Sequence, residues 1–340
     1  MDVRKKKILQ AIIQDYITSA EPVGSRTIAR KYDLGVSAAT IRNEMFDLEM
    51  LGYLEQPHTS AGRVPSIKGY RFYVDCLVEP MKISNAEQMY VKAWFQNKSK
   101  NVDDVFQETA KLLSNMTHNV TLALAGNKQD AKFNYLKFLP LDDVRSILVI
   151  VTDRGHIENC IFYRPGDVTN EDLNMVAEKL NRFLKDVPIG KIDYALIEKF
   201  RTNVVDDADL YRLAFHSLQK SFLPKRQVYT GGTTELLNKP EFQDIGKARN
   251  LFSLLEEDDV ITSLLYSDSP DELSIKIGEE NEPSPIKDCS IIQATFKSED
   301  RILGKIAILG PTRMEYAKIL GLLHFMQIHI TKVLKHYEDQ

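Results

Sequence analysis

The stretch SAATIRNEMFDLEMLGYLEQPHTSAGRVPS, residues 37–66, constrains the fold more than any other part of the sequence. Ser37 is typical of a helix N-cap, and Gly52 predicts the end of the same helix. Two short strands around a TSAG turn are expected to follow, with Gly62 adopting a positive φ. A helix that only packs does not need a polar first turn and a small-residue hairpin, whereas a DNA-contacting helix followed by a wing does.

The helix in this stretch has two faces of different chemistry. Its inward arc consists of four apolar side chains: Ala38, Ile41, Met45 and Leu48. Ala39, Arg42 and Asn43 lie on the opposite face, where a small residue permits close approach, Arg can bond guanine and Asn can bond adenine. Phe46 and Met50 project towards this face, where they either touch thymine methyl groups or pack under the hairpin.

Polar residues beside that face predict contacts with the DNA backbone. Ser37 and Thr40 stand at the helix start, where hydroxyl and amide groups can donate to phosphates. Thr59 and Ser60 are small turn residues that let the hairpin backbone approach a phosphate, and Arg63 can enter a minor groove. A solvated helix with an ordinary hairpin, or a winged helix used for protein interaction, are the alternatives.

Two helices are predicted before this stretch and one after it. Apolar positions recur at helical spacing over residues 4–19. The segment GSRTIARKYDLG predicts a short second helix with three inward-facing side chains: Ile28, Ala29 and Tyr32. A further helix is expected to be capped by Ser66 and stopped by Pro80. With the tight DLG turn and the hairpin, these elements predict a winged helix-turn-helix domain over residues 1–80.

The remainder of the chain alternates between strand-rich and helical stretches. Alternating or apolar runs predict three strands within residues 133–163 and three more between 273 and 310, with helical patterning over 169–223 between them. This order predicts an α+β fold whose antiparallel sheet is interrupted by helices, as in PAS- and GAF-like sensory domains. The predicted division is a GAF-like domain in two parts, 81–165 and 226–340, around an inserted helical dimerising subdomain, 166–225.

The inserted stretch is the expected source of dimerisation, because the apolar stripes of the N-terminal domain are used in its own small core. It carries an apolar stripe on one helix: Leu173, Val176, Leu180 and Phe183. The stripe can meet a second copy or pack on the neighbouring sheet. Since one winged helix contacts few base pairs, a homodimer on an inverted repeat of double-stranded DNA is expected.

Charge and cysteine content exclude several classes of protein. The net charge of −4 gives no global sign of nucleic-acid binding, but residues 1–75 carry +2 and the remainder −6. Lys68, just past the hairpin, is expected to meet a phosphate. Three widely separated cysteines without a CxxC pair argue against a disulfide framework and fit the reducing cytoplasm. No apolar run approaches the length that spans a membrane.

No set of residues predicts catalysis, a cofactor or a metal site. The TGGTT segment at 230–234 lacks the GK[ST] ending of a phosphate loop and is interpreted as a turn. His324, His329 and His336 lie on the predicted last helix, but their spacing does not give the i, i+4 pair of a zinc site. The chain is therefore expected not to be an enzyme.

Five motifs distributed along the chain are specific as a set: EPVGSRTIARKYDLGVSAATIRNEM, LGYLEQPHTSAGRVPSIKGYRFYVD, GGTTELLNKPEF, IGEEN and GPTRMEY. Together, from about Val3 to about Tyr316, they resemble the HrcA family of heat-inducible transcription repressors. The resemblance implies a winged helix, a GAF-like domain and an inserted dimerising subdomain. It also implies DNA contacts in SAATIRN and HTSAGR, an inverted-repeat operator called CIRCE upstream of chaperone operons, and a chaperonin that keeps the repressor active. A repressor gated by a small molecule in the GAF-like domain is the alternative.

Overall fold

The chain folds into a helical N-terminal unit, a five-stranded sheet with helices on both faces, and a separate three-stranded sheet. The computed structural model describes the following residues: 1–58, 61–96, 102–125, 131–153, 155, 157–164, 168–192, 196, 228–266, 272–281, 284–298 and 301–338.

The N-terminal unit contains four helices and a two-stranded antiparallel hairpin. Its elements are α1 (Val3–Ser19), α2 (Ser25–Lys31), α3 (Ala38–Met50), β1 (Leu54–Glu55), β2 (Val64–Pro65) and α4 (Ile67–Cys76). Side chains cap three of the helices: Asp2 accepts from the Lys5 amide at 2.8 Å, Ser37 from Thr40 at 3.1 Å, and Ser66 from Gly69 at 3.0 Å. The caps predicted at Ser37 and Ser66 are thus confirmed.

Two details of this unit differ from the sequence prediction. Helix α4 ends at Cys76 instead of continuing to Pro80, because the amides of Leu77 and Val78 both donate to the carbonyl of Tyr73 and close the last turn. Ala29 is exposed, since Ile28 alone occupies the fully buried position of the short helix α2.

The five-stranded sheet is antiparallel throughout and has the order β7-β3-β10-β9-β8. Its strands are β3 (Val120–Ala125), β7 (Val228–Gly231), β8 (Leu273–Ile277), β9 (Cys289–Ser298) and β10 (Arg301–Pro311). One face packs on helices that continue the core of the N-terminal unit: α5 (Asn85–Gln96), α6 (Val102–Thr117) and α10 (Tyr316–Glu338). The other face packs on α8 (Ile245–Leu255) and α9 (Asp258–Tyr266).

Strand β3 lies next to the central strand of this sheet, yet the sequence pattern did not predict it. All six of its residues are buried, with Leu122 facing one helical layer and Ala123 the other. A strand buried on both faces has no polar alternation, so its period cannot be distinguished from that of a helix. Strand β7 was missed because it has only four residues and ends at Gly231, within the segment whose glycines predicted a turn.

The three-stranded sheet is a meander with a hydrophobic core of its own. It comprises β4 (Phe133–Pro140), β5 (Arg145–Thr152) and β6 (Ile157–Tyr163), and α7 (Asn170–Leu184) packs on one face. The predicted strands within 133–163 therefore do not join the sheet of the closing strands. The predicted division at residue 165 separates β4–β6 from α7, whereas in the structure these elements share one core.

The apolar stripe on α7 is used inside this core. Leu173, Val176 and Leu180 are almost fully buried against side chains of β4 and β5. Of the two uses that the sequence left open, the structure shows packing on the neighbouring sheet. Most of the rest of the predicted subdomain, at 193–195 and 197–225, lies outside the described residues. Within the described part of the chain, none of the helices is long and apolar enough to cross a membrane.

Candidate nucleic-acid interface

Helix α3 presents a buried apolar face and an exposed mixed face, as its sequence predicts. Ile41 and Leu48 are completely buried, whereas Ala39, Arg42 and Asn43 are exposed. Phe46 and Met50 are 55% and 72% exposed, so more than half of each side chain is open to solvent on this face. The exposed face therefore combines two side chains that can hydrogen-bond to base edges with two that can make apolar contacts.

The N-terminus of α3 has the chemistry of an anion-binding site. Ser37 accepts a hydrogen bond from the amide of Thr40 at 3.1 Å, and the two hydroxyl oxygens lie 3.0 Å apart. The amides of Ala38 and Ala39 precede the first intrahelical bond and can donate to a phosphate, which the helix dipole also favours. Capping takes up a lone pair of the Ser37 oxygen, and phosphate binding would use the backbone amides beside it.

All three carboxylates of α3 are paired with cations from α1 or from the hairpin. Glu44 lies 2.9 Å from Lys5 and 3.6 Å from Arg4, and Asp47 lies 3.0 Å from Lys5. Hydrogen bonds with Glu44 and Asp47 raise the pKa of Lys5, which keeps the ammonium charged. Carboxylates beside a DNA-contacting face would repel phosphates, and these partners offset that repulsion. This pairing could not be predicted from the sequence, because Lys5 is far from α3 along the chain.

Arg63 neutralises the third carboxylate. Its Nε lies 2.8 Å and its other guanidinium nitrogen 2.7 Å from Glu49, and the side chain is 17% exposed. Its backbone amide and carbonyl exchange hydrogen bonds of 2.9 Å with Val23, which ties the hairpin to the loop after α1. The pair with Glu49 occupies Nε and Nη2 of Arg63, so a phosphate contact would compete with this pair, and the DNA contact stays a prediction. Thr59 and Ser60 lie outside the described residues.

Gly62 has a role that differs from the predicted one, and Lys68 contacts the end of α3. Gly62 does not adopt a positive φ; a Cβ at this position would lie 2.5 Å from the carbonyl oxygen of Val23, so glycine is required by close approach of two backbones. Lys68 donates to the carbonyl of Leu51 at 2.9 Å and lies over the Tyr53 ring at 4.7 Å. Its charge therefore stabilises the C-terminal end of α3, and its contact with a phosphate stays a prediction.

An exposed Arg–Asn face, a free helix N-terminus and an adjoining hairpin are the features of a DNA-binding protein. Residues 103–320 match the family model described as HrcA protein C terminal domain. The chain is 43% identical to the heat-inducible transcription repressor HrcA of Symbiobacterium thermophilum and 40% identical to that of Desulfitobacterium hafniense, in each case over 98% of both chains. The chain belongs to the HrcA family of heat-inducible transcription repressors.

A solved structure supports the overall fold. The crystal structure of a hypothetical protein superposes with a TM-score of 0.68 and 21% sequence identity, covering 99% of this chain and 98% of that one.

The family is one of repressors and not of enzymes, in agreement with the prediction from the sequence. Among the residues that the structure describes, no group of three or more His, Cys, Asp or Glu side chains could hold a metal ion.

Proposed function

We propose that the chain represses chaperone operons in the cytoplasm by binding an inverted-repeat operator of the CIRCE type as a homodimer. Residues 1–80 act as a winged helix-turn-helix domain, and α3 is the recognition helix. Arg42 and Asn43 contact base edges while Ala39 permits their approach. Backbone contacts come from the remaining predicted residues: Ser37, Thr40, Thr59, Ser60 and Arg63.

The observation that carries this proposal is the exposed face of α3. A helix that only packs has no reason to expose Phe46 and Met50 beside Arg42 and Asn43 while its carboxylates are paired with cations from α1 and the hairpin. Apolar exposure together with bidentate donors is favourable in a major groove, where thymine methyl groups and base edges alternate. The ion pairs beside the exposed face neutralise the carboxylates of α3, which favours the approach of this face to phosphates.

Dimerisation is proposed to use the outer face of the three-stranded sheet, since the stripe on α7 is already buried. The register aligns Leu139, Ile147 and Ile161 across the three strands, and Tyr135, Val151 and Ile157 form a parallel row. Five large apolar side chains on this face are between 40% and 73% exposed: Tyr135, Leu139, Ile157, Ile161 and Tyr163. The row between the two apolar rows consists of Lys137, Val149 and Asn159, so the face is apolar with two polar side chains. Exposed apolar surface of this extent marks an interaction site, and a second copy supplies an identical patch.

The five-stranded sheet with its helices is proposed to be the GAF-like domain. A chaperonin is proposed to keep the repressor active by helping this domain to fold. Strand β3 pairs with strands more than a hundred residues further along the chain, at Val228–Gly231 and Arg301–Pro311. Such non-local pairing folds slowly and exposes apolar surface in the meantime. When heat-damaged proteins occupy the chaperonin, the repressor loses its help in refolding and repression is released.

Footprinting of the purified chain on the promoter of the chaperone operon in its own genome tests this function. The expected result is protection of two inverted half-sites, with a larger protected fraction when chaperonin and ATP assist refolding. Protection of a single half-site, or of no sequence in that promoter, would contradict the DNA-binding part of the proposal. An unchanged protected fraction under conditions where the protein aggregates would contradict the chaperonin part alone.

A further inference from the structure

The N-terminal unit is fixed to the five-stranded sheet by an arginine of α4. The Arg71 guanidinium forms a two-pronged ion pair with Glu280, with Nε 2.9 Å from one carboxylate oxygen, and it also donates to the carbonyl of Ile275 at 2.8 Å. Asp75 adds a contact at 3.2 Å from within α4. A bidentate Arg–carboxylate pair restricts direction as well as distance, so it fixes the angle at which α4 meets the sheet.

Glu280 is held by the turn that follows β8. One of its oxygens accepts a hydrogen bond from the amide of Ile277 at 2.9 Å, and the buried Asn281 side chain donates to Gly278 and Cys289 carbonyls at 3.0 and 2.8 Å. Gly278 has a φ of 60°, and a Cβ there would lie 2.6 Å from the side chain of Ile67, the first residue of α4. The partner of Arg71 is therefore presented by a rigid turn that also touches α4 directly.

A second arginine makes a weaker link to α1, through one hydrogen bond to a backbone carbonyl, and an acidic partner from the C-terminal part of the chain holds it in place. Arg313, at the turn before α10, forms a two-pronged ion pair with Glu241 and donates to the carbonyl of Ile17 at 3.3 Å. Ile17 lies in the last turn of α1, whose carbonyls have no partner within the helix, and a cation is favourable there. The Arg313 side chain is 13% exposed, so solvent screens this link only weakly.

Aromatic packing joins the same surfaces. Tyr70 and Tyr73 of α4 lie with their ring centroids 6.2 and 6.4 Å from that of Tyr316, the first residue of α10. The Tyr316 hydroxyl is anchored by Ser290 and by the carbonyl of Thr312, each at 2.7 Å. Domains joined only by a linker move relative to each other by default, whereas this continuous, buried interface opposes such motion.

Helix α4 transmits this fixed angle to α3. Gly69 packs so closely on the end of α3 that a Cβ would lie 2.2 Å from the carbonyl oxygen of Tyr53. The Ser66 hydroxyl donates to the carbonyl of Gly52 at 2.6 Å, and its amide donates to Tyr53 at 3.1 Å. A continuous set of short contacts therefore connects Glu280 to the helix that bears Arg42.

We propose that the pairs Arg71–Glu280 and Arg313–Glu241 are positioning contacts that set which separation of half-sites a dimer accepts. The inference rests on the proposed function. It gives a role to the motifs GYRFYVD, IGEEN, KPEF and GPTRMEY, which supply all four residues and lie outside the DNA-contacting face. When the dimer interface belongs to the C-terminal part of the chain, the angle at this junction determines the distance between two recognition helices. A loosened junction tolerates other separations and binds the correct one less tightly, because its orientation must be restricted on binding.

The test uses the full-length Glu280→Gln variant, with Glu279→Gln as matched control because Glu279 is an exposed carboxylate of the same turn. Affinity is measured for a single half-site and for inverted repeats with the natural separation or with one or two base pairs inserted or removed. Solvent weakens the Arg71–Glu280 pair, because its side chains are about one-third exposed. We therefore expect Glu280→Gln to lower the affinity for the natural repeat by a factor of about five for each of the two subunits. Affinity for the single half-site should stay within about twofold of the wild-type value. The ratio of the affinity for the natural separation to the affinity for altered separations should fall.

A charge-swapped variant, Arg71→Glu with Glu280→Arg, should recover part of the discrimination between separations. Equal losses on the half-site and the repeat would show that Glu280 only stabilises the fold, and a separation profile identical to that of the wild type would show that it does not position the helices. Either result overturns the inference. Failure of the wild-type chain to bind any inverted repeat would instead overturn the proposed function.

Discussion

Replacing Arg42 with alanine removes a guanidinium from the exposed face of α3 and little else. The side chain is exposed, and the neighbouring carboxylates Glu44, Asp47 and Glu49 pair with other cations. No buried contact or ion pair of these carboxylates is lost, so the free energy of unfolding should change by less than about 0.5 kcal/mol. Any larger effect must then appear in DNA binding.

The size of that effect follows from the number of recognition helices. One bidentate contact between arginine and guanine discriminates against the wrong base by about 1–3 kcal/mol. A dimer on an inverted repeat makes the contact twice, so the Arg42→Ala variant should lose about 2–6 kcal/mol if the two sites are independent. The lower limit corresponds to about a thirtyfold weaker operator affinity.

Fluorescence anisotropy with labelled operators measures this loss, and operators substituted at each position show where base preference relaxes. Preference should relax at one position in each half-site. Lys68→Ala is the comparator: it also removes a positive charge, but Lys68 stabilises the end of α3, so it should lower stability by about 0.3–1 kcal/mol without changing base preference. Operator binding by Arg42→Ala equal to that of the wild type would refute the assignment of α3 as the recognition helix.

Three further predictions concern the hairpin and the dimer. Arg63→Ala should lower the slope of log affinity against log salt by about one if the pair with Glu49 opens on DNA; an unchanged slope would show that Arg63 meets no phosphate. Gly62→Val should reduce the free energy of unfolding, measured in urea, by about 1–3 kcal/mol or more, because its side chain would collide with the Val23 backbone, and wild-type stability would contradict the close approach. Ile161→Asp should convert the dimer to monomers in sedimentation at micromolar concentration, since it places a charge in the exposed apolar row, and a persisting dimer would place the interface elsewhere.

The helices of the N-terminal unit were predictable because their signals are local. Ser37 and Ser66 cap helices as their positions indicate, and the helical period of α3 separates Ile41 from Arg42 correctly. In contrast, β3 carries no local signal, because a strand buried on both faces shows neither alternation nor a polar boundary. The assignment of the predicted strands to one sheet failed for a related reason: periodicity predicts strands but not their partners.

The exposure of the candidate residues on α3 was predictable, whereas the ion pairs around them were not. The exposed positions of Arg42 and Asn43 follow from the helical wheel, whereas the pairing of Lys5 with Glu44 and Asp47 depends on how α1 crosses α3. Gly62 shows the same limit, because the sequence indicated a glycine-dependent turn but could not show which backbone approaches it. Contacts between segments that are distant in sequence require the fold.

The ion pairs of α3 limit how the helix can be transplanted. Residues 38–50 contain the side chains proposed to contact bases, but their three paired carboxylates rely on Lys5 of α1 and Arg63 of the hairpin. A chimaera that receives this segment alone would place Glu44, Asp47 and Glu49 without counterions beside the phosphates of its target. Exchange of operator specificity between repressors would therefore require the cationic neighbours to be grafted with the helix, so that the portable unit is a charge-balanced surface and not a single element.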